Sequence, residues 1–225
     1  MRFQRFHDTM NYYMKAGVVM IAVIDYGAGN LQSVVKAFRH IGCDTVVTTN
    51  PEQLEHAQAA VLPGVGAFGD SMRCLTDSGM VGPTLDFIQS GKPFLGICLG
   101  LQLLFEESEE SPGVKGLGVF SGKIYKIPDA PGLKIPHIGW NSLNLNRRDG
   151  LFCGMEENPY VYFVHSYYVK SDDRSIVTAT ANYGTEMDVS VRKGNLFATQ
   201  FHPEKSGTKG LKMLRNFASL LKSEG

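Results

Sequence analysis

One ten-residue stretch, PFLGICLGLQ from Pro93 to Gln102, restricts the fold more than any other part of the chain. It reads as a buried apolar strand that turns at once into helix, with Gly96 and Gly100 placed two residues before and two after Cys98. A cysteine that merely fills a core needs no glycine on both sides. The pattern has the G-x-nucleophile-x-G form of a strand-to-helix elbow, in which neighbouring Cβ atoms would collide with the adjoining backbone. Such an elbow belongs at the carboxyl edge of a parallel sheet.

The first half of the chain supplies that sheet. Val18–Ile24 is β-branched and apolar without alternation, as suits a strand buried on both faces. Gly27-Ala28-Gly29-Asn30 turns it, and Leu31, Val34, Val35, Phe38 and Ile41 then recur at helical spacing up to a stop at Gly42. Asp44–Thr48 is a second strand, Asn50-Pro51 opens another helix, and Ala59–Leu62 is a third strand. A helical stretch through Ile88 leads to the fourth strand, Pro93–Ile97. Alternation of this kind predicts an α/β fold, a mostly parallel sheet with helices on both faces. The second half reads as antiparallel additions: strands at Val119–Ile127, Ser142–Leu145, Tyr160–Val169, Ile176–Ala181, Met187–Arg192 and Leu196–Phe201, then a closing amphipathic helix from Leu211 to Leu221. No repeat or linker interrupts residues 20–225, so one domain is expected there. Residues 1–19 show no clear periodicity in their first part and are expected to be a poorly ordered extension.

Composition narrows the function. With 22 basic and 22 acidic residues the net charge is zero, which argues against a nucleic-acid partner. No apolar run is long enough for a membrane helix. Cys43, Cys74, Cys98 and Cys153 are far apart with no CxxC spacing, which argues against a zinc site or a secreted disulfide framework and favours the cytoplasm.

At the elbow, the backbone N–H of Leu99 points where a tetrahedral oxyanion would form, and Gln102 shares the helix face of Cys98. A nucleophilic thiol needs a base. His202-Pro203-Glu204 closes the last strand, and in extended chain Glu204 would share a side with His202 and orient its ring. His137 and His165 compete as base, but neither has an acidic residue two positions on. Pro63-Gly64-Val65-Gly66 follows the third strand, and its glycines would let the Val65 peptide rotate and serve as a second oxyanion donor. Gly27-Ala28-Gly29 begins like a dinucleotide fingerprint, but position 32 is glutamine, and a tight turn into a helix explains it without a ligand.

Together these segments resemble the class I (triad) glutamine amidotransferases, from Met20 to near the C-terminus. The stretches MIAVIDYGAGN, LPGVGAFGDSM, GICLGLQLLFEESEE, PHIGWN, YFVHSYY and QFHPEKSG are most similar to the branch that forms the glutaminase subunit of imidazole glycerol phosphate synthase. Leu101 stands where the anthranilate and aminodeoxychorismate synthase branches usually carry His, and Val65 where they carry a Pro-Gly-Pro-Gly type strand. The resemblance implies that Cys98 attacks glutamine, with His202 as base and then acid and Glu204 orienting it. It implies glutamine contacts from Gly66, Gln102, His165, Ser166 and Tyr167, and a partner surface including Trp140, Tyr162 and Lys205. The partner would be a (β/α)₈-barrel cyclase that receives ammonia for histidine biosynthesis, in a heterodimer needing no cofactor or metal. Two alternatives stand beside it: an amidotransferase subunit feeding another acceptor, such as a surface-sugar precursor, and a non-catalytic module of the same fold.

Overall fold

The computed structural model describes residues 20–222, so the expected extension over 1–19 lies outside the described residues. The first half alternates as the sequence predicts. Strand β1 (Met20–Ile24) is followed by α1 (Leu31–His40), β2 (Asp44–Thr48), α2 (Pro51–His56) and β3 (Ala59–Gly64). Two helices, α3 (Phe68–Asp77) and α4 (Val81–Gln89), then precede β4 (Phe94–Cys98) and the short α5 (Leu99–Leu103). The Asn50 side chain caps α2 by accepting from Glu52 N–H at 2.8 Å, and Gly42 ends the turn after α1 at φ +84°.

The second half adds β5 (Glu107–Ser108), β6 (Gly122–Lys126), β7 (His137–Ser142), β8 (Asn144–Leu145), β9 (Tyr160–His165) and β10 (Tyr167–Ser171). It ends with β11 (Val177–Asn182), β12 (Glu186–Lys193), β13 (Leu196–Thr199) and α6 (Gly207–Ser219). The main sheet runs β2-β1-β3-β4-β13-β12-β10-β6-β5, with β11 and β8 attached beyond β12. Its first five strands are parallel, and β12 turns back against β13 as the expected hairpin.

Apolar runs without alternation are explained by burial on both faces. In β1, Ile21 and Val23 pack towards Phe38 of α1 and Phe217 of α6, while Ala22 and Ile24 pack with Leu54 and Phe68 on the other side. β4 divides likewise, with Leu95 and Ile97 facing one core and Phe94 the other. At about 25 cal/mol per Å² of apolar surface, this two-sided burial is the main force holding the sheet.

Three expectations need correction. Tyr160–Val169 is not one strand: the chain breaks at Ser166, so β9 pairs with β7 in a separate two-stranded ribbon while β10 joins the main sheet. Both halves alternate in the same way, so periodicity cannot report the change of sheet. β7 begins at His137, five residues before the expected Ser142, because ladder pairing with β9 outweighs the weak strand character of a segment with Gly139 and few aliphatics. Finally, β13 ends at Thr199, and Glu204 lies in a 3₁₀ turn, Pro203–Lys205, rather than in extended chain. Proline at the first position of that turn fixes its φ and lacks a ladder donor.

The topology puts the ends of β3, β4 and β13 side by side at the carboxyl edge. Gly64 is in register with Cys98, and Thr199 with Ile97. This is where ligands bind in parallel sheets.

Candidate active site

Cys98 is the last residue of β4 and precedes α5, with φ +55° and ψ −107°. A non-glycine residue there costs about 1–3 kcal/mol, which the surroundings must offset. They do so by close packing that only glycine allows. A Cβ on Gly100 would overlap the Leu62 carbonyl oxygen, and one on Gly96 would lie 2.9 Å from the Gly100 carbonyl oxygen. The two glycines around Val65 serve different ends. Gly64 has no room for a Cβ, which would sit 2.5 Å from Tyr26 Oη and 2.9 Å from Leu99 Cβ. Gly66 has open space but φ +99°.

His202 and Glu204 meet despite the turn between them. The Nδ1–H of His202 donates to Glu204 Oε1 at 2.8 Å, and both side chains are 2% exposed. Nε2 makes no complete hydrogen bond and is the nitrogen left for Cys98. Burial disfavours an imidazolium here, but the adjacent Cys98 and Glu204 outweigh it and raise the pKa from 6.5 to about 10. The turn is braced from beneath. His202 N–H donates to Tyr162 O at 3.0 Å, and Ser206 Oγ donates to His202 O at 2.6 Å while accepting from Tyr162 N–H.

The rival histidines are committed elsewhere. His165 Nδ1–H donates to Tyr167 O at 2.9 Å, which leaves Nε2 to accept from His137 Nδ1–H at 3.1 Å. Burial lowers the pKa of each to about 4, so both are neutral at pH 7. His137 is also stacked on Tyr183, with ring centroids 3.8 Å apart. Neither carries the paired carboxylate that His202 has.

A cavity of about 300 Å³ opens over the thiol, lined among others by Val65, Gly66, Gln102, His165, Ser166 and Tyr167. All the residues expected to touch a substrate therefore border one space with Cys98, Leu99 and His202. Gln102 is less free than expected: its Nε2 donates to Tyr167 O at 3.1 Å and to Gln200 Oε1 at 3.0 Å. Two further residues escaped the sequence reading. Gln200, fully buried, places Nε2 3.7 Å from Cys98 Sγ. Glu110 lines the cavity and accepts from Phe68 N–H at 2.8 Å. Glu110 sits in an acidic run that reads as a solvated surface, so only the fold reveals it. Gln200 was accessible, because it is two residues before His202 in the sequence and the same-side rule applied forward to Glu204 could have been applied backward.

Trp140 and Tyr162 are neighbours, and Lys205 lies in the turn between His202 and Ser206, both of which bond to Tyr162. Trp140 and Tyr162 are cross-strand partners with edge-to-face rings 6.1 Å apart. Trp140 is 56% exposed, and its indole reaches Gly207, two residues beyond Lys205.

A strained cysteine at a strand-to-helix elbow, faced by a buried His–Glu pair beside a small cavity, defines the class as a triad amidohydrolase on a parallel α/β sheet. The chain belongs to the class-I glutamine amidotransferase family, whose model matches residues 22–220. It is 52% identical over 204 residues to the imidazole glycerol phosphate synthase subunit HisH of Methanothermobacter thermautotrophicus, covering 91% of this chain and all of that one. The subunit of the same name from Geobacter metallireducens is 49% identical, over 88% of this chain and 97% of its own. Among solved structures, a glutamine amidotransferase superposes with a TM-score of 0.70 at 22% identity, over 90% of this chain and 98% of that one. PurLQS from Thermotoga maritima superposes with a TM-score of 0.70 at 20% identity, over 91% and 99%.

Proposed function

We propose that residues 20–225 act as one glutaminase unit that hydrolyses glutamine at Cys98 and passes the ammonia to a synthase partner making imidazole glycerol phosphate. The carrying observation is the Cys98–His202–Glu204 arrangement at the cavity, in a chain about half identical to HisH subunits.

The chemistry follows from the donors and acceptors in place. Cys98 sulfur attacks the side-chain amide carbon of glutamine, and the carbonyl oxygen becomes an oxyanion facing the Leu99 N–H. His202, charged at neutral pH, gives its Nε2 proton to the departing nitrogen, so ammonia leaves and a γ-glutamyl thioester remains. Neutral His202 then takes a proton from water, which attacks the thioester and releases glutamate and the thiol. Glu204 holds Nδ1–H through both steps and offsets the charge each time it forms. Glu110 suits the α-ammonium of glutamine, being a carboxylate on the cavity wall. Gln102, His165, Ser166, Tyr167 and Gly66 shape the rest of the pocket.

Val65 supplies the second oxyanion donor when its N–H faces the thiol. The Val65 N–H belongs to the Gly64–Val65 peptide, and the lack of a Cβ on Gly64 leaves that peptide free to turn when a partner docks. Trp140, Tyr162 and Lys205 form the docking surface for a cyclase of (β/α)₈-barrel form. The backbone bonds from Tyr162 to His202 and Ser206 join that surface to the base. A cytoplasmic heterodimer suits such a handover.

An electrophilic glutamine analogue tests the reading. It should form a single adduct, on Cys98, and spare Cys43, Cys74 and the exposed Cys153. An adduct on any other cysteine would refute the assignment.

A further inference from the structure

We infer that Gln200 is a positioning residue of the reaction, one that holds the Cys98 sulfur by donating an amide N–H to it. The inference rests on Cys98 being the nucleophile. Gln200 is fully buried, and its carboxamide has two partners with opposite demands. Oε1 accepts from Gln102 Nε2 at 3.0 Å, and Nε2 lies 3.7 Å from Cys98 Sγ. A planar amide used this way cannot swap its ends, because Gln102 Nε2 offers only hydrogens. The nitrogen is therefore fixed towards sulfur.

Among the described residues, the sulfur has few other hydrogen-bonding neighbours. Val164 O, at 3.9 Å, can only accept, so it serves the thiol and not the thiolate. Gln200 Nε2 can only donate, and it serves the thiolate strongly but the thiol sulfur only weakly. Once the proton has moved to His202, Gln200 is the neutral donor that remains on sulfur. The backbone gives it little freedom: Gln200 N–H donates to Val189 O at 2.8 Å, which extends the β12–β13 ladder by one bond past Thr199. The same carboxamide is tied through Gln102 to Tyr167 O, so the substrate wall and the nucleophile share one chain of hydrogen bonds. Gln102, expected to face substrate alone, is thereby also the anchor of this chain.

Two substitutions separate the roles. Gln200→Glu keeps an oxygen for Gln102 but replaces the donor to sulfur with a second oxygen. Gln200→Met removes both contacts at nearly constant length. In the complex with the synthase, Gln200→Glu should lower kcat about tenfold or more, with KM for glutamine within about twofold; Gln200→Met should lower kcat and also raise KM. Alkylation of Cys98 by iodoacetamide at pH 7, followed by peptide mass spectrometry, reads the sulfur without substrate. It should slow about tenfold in both variants. A Gln200→Glu protein with wild-type alkylation and kcat would overturn the inference; if that variant does not fold, unchanged alkylation of Gln200→Met would do so. Label on another cysteine in the wild-type chain would overturn instead the assignment of Cys98 on which the inference rests.

Discussion

Replacing Glu204 by glutamine removes a charge while preserving a hydrogen bond, because the amide oxygen can still accept from His202 Nδ1–H. The structure sets the size of the effect. Burial works against a charged His202, yet Cys98 and Glu204 raise its pKa from 6.5 to about 10. At 1.36 kcal/mol per pH unit, that displacement bounds the stabilisation at about 5 kcal/mol. A hydrogen bond to a charged group contributes about 1.5–3 kcal/mol, so Glu204→Gln should lose about 2–3 kcal/mol. The sign follows from linkage. A raised folded pKa gives stability fully present below the unfolded value of about 6.5 and lost as pH rises through about 10. The variant should therefore be most destabilised at pH 6, less so at pH 8, and nearly equal to the wild type above pH 10. Urea unfolding at these values measures it directly. Turnover at pH 7 should fall by about 10–10² while glutamine KM changes little, since Glu204 is two bonds of influence away from the substrate. A stability loss that is the same at every pH would refute the charged His202–Glu204 pair.

Gly100→Ala should cost about 3 kcal/mol or more, read as a lost or lowered thermal transition, because the new Cβ would overlap the Leu62 carbonyl oxygen. Trp140→Ala should leave the melting temperature within a degree or two, given its exposure, yet weaken binding to the synthase by about 30-fold or more in calorimetry. Gly66→Val, where φ is +99° and space is open, should spare complex formation but remove most of the partner's stimulation of glutaminase turnover.

The parallel half of the fold was legible because its signals are local. Asn50-Pro51, Gly42 and the non-alternating strands each name their own conformation. The elbow was equally plain, since the glycines at positions 96 and 100 answer to the Gly100 and Leu62 carbonyls. What escaped depends on distance in sequence. Tyr160–Val169 changes sheets at Ser166 because β7 and β6 claim its two halves, and nothing in that segment records either partner. The His202–Glu204 contact was expected for the wrong reason: a 3₁₀ turn at Pro203, not strand alternation, brings the carboxylate round. Gln200, just past the end of β13 and beside the Cys98 sulfur, was the residue that alternation from His202 also pointed to. Gln102 looked like a free amide because its two acceptors, Tyr167 O and Gln200 Oε1, come from the other half of the chain.

The central claim is that this chain makes ammonia at Cys98 for direct use by a partner. Glutamine labelled with nitrogen-15 in the side-chain amide, given to the chain and its synthase partner in a large excess of unlabelled ammonium, tests that claim most directly. The account predicts that mass spectrometry finds the label in the imidazole product at nearly full enrichment, and that Cys98→Ala abolishes it. Product carrying the unlabelled nitrogen of the medium, or label that survives Cys98→Ala, would contradict the account.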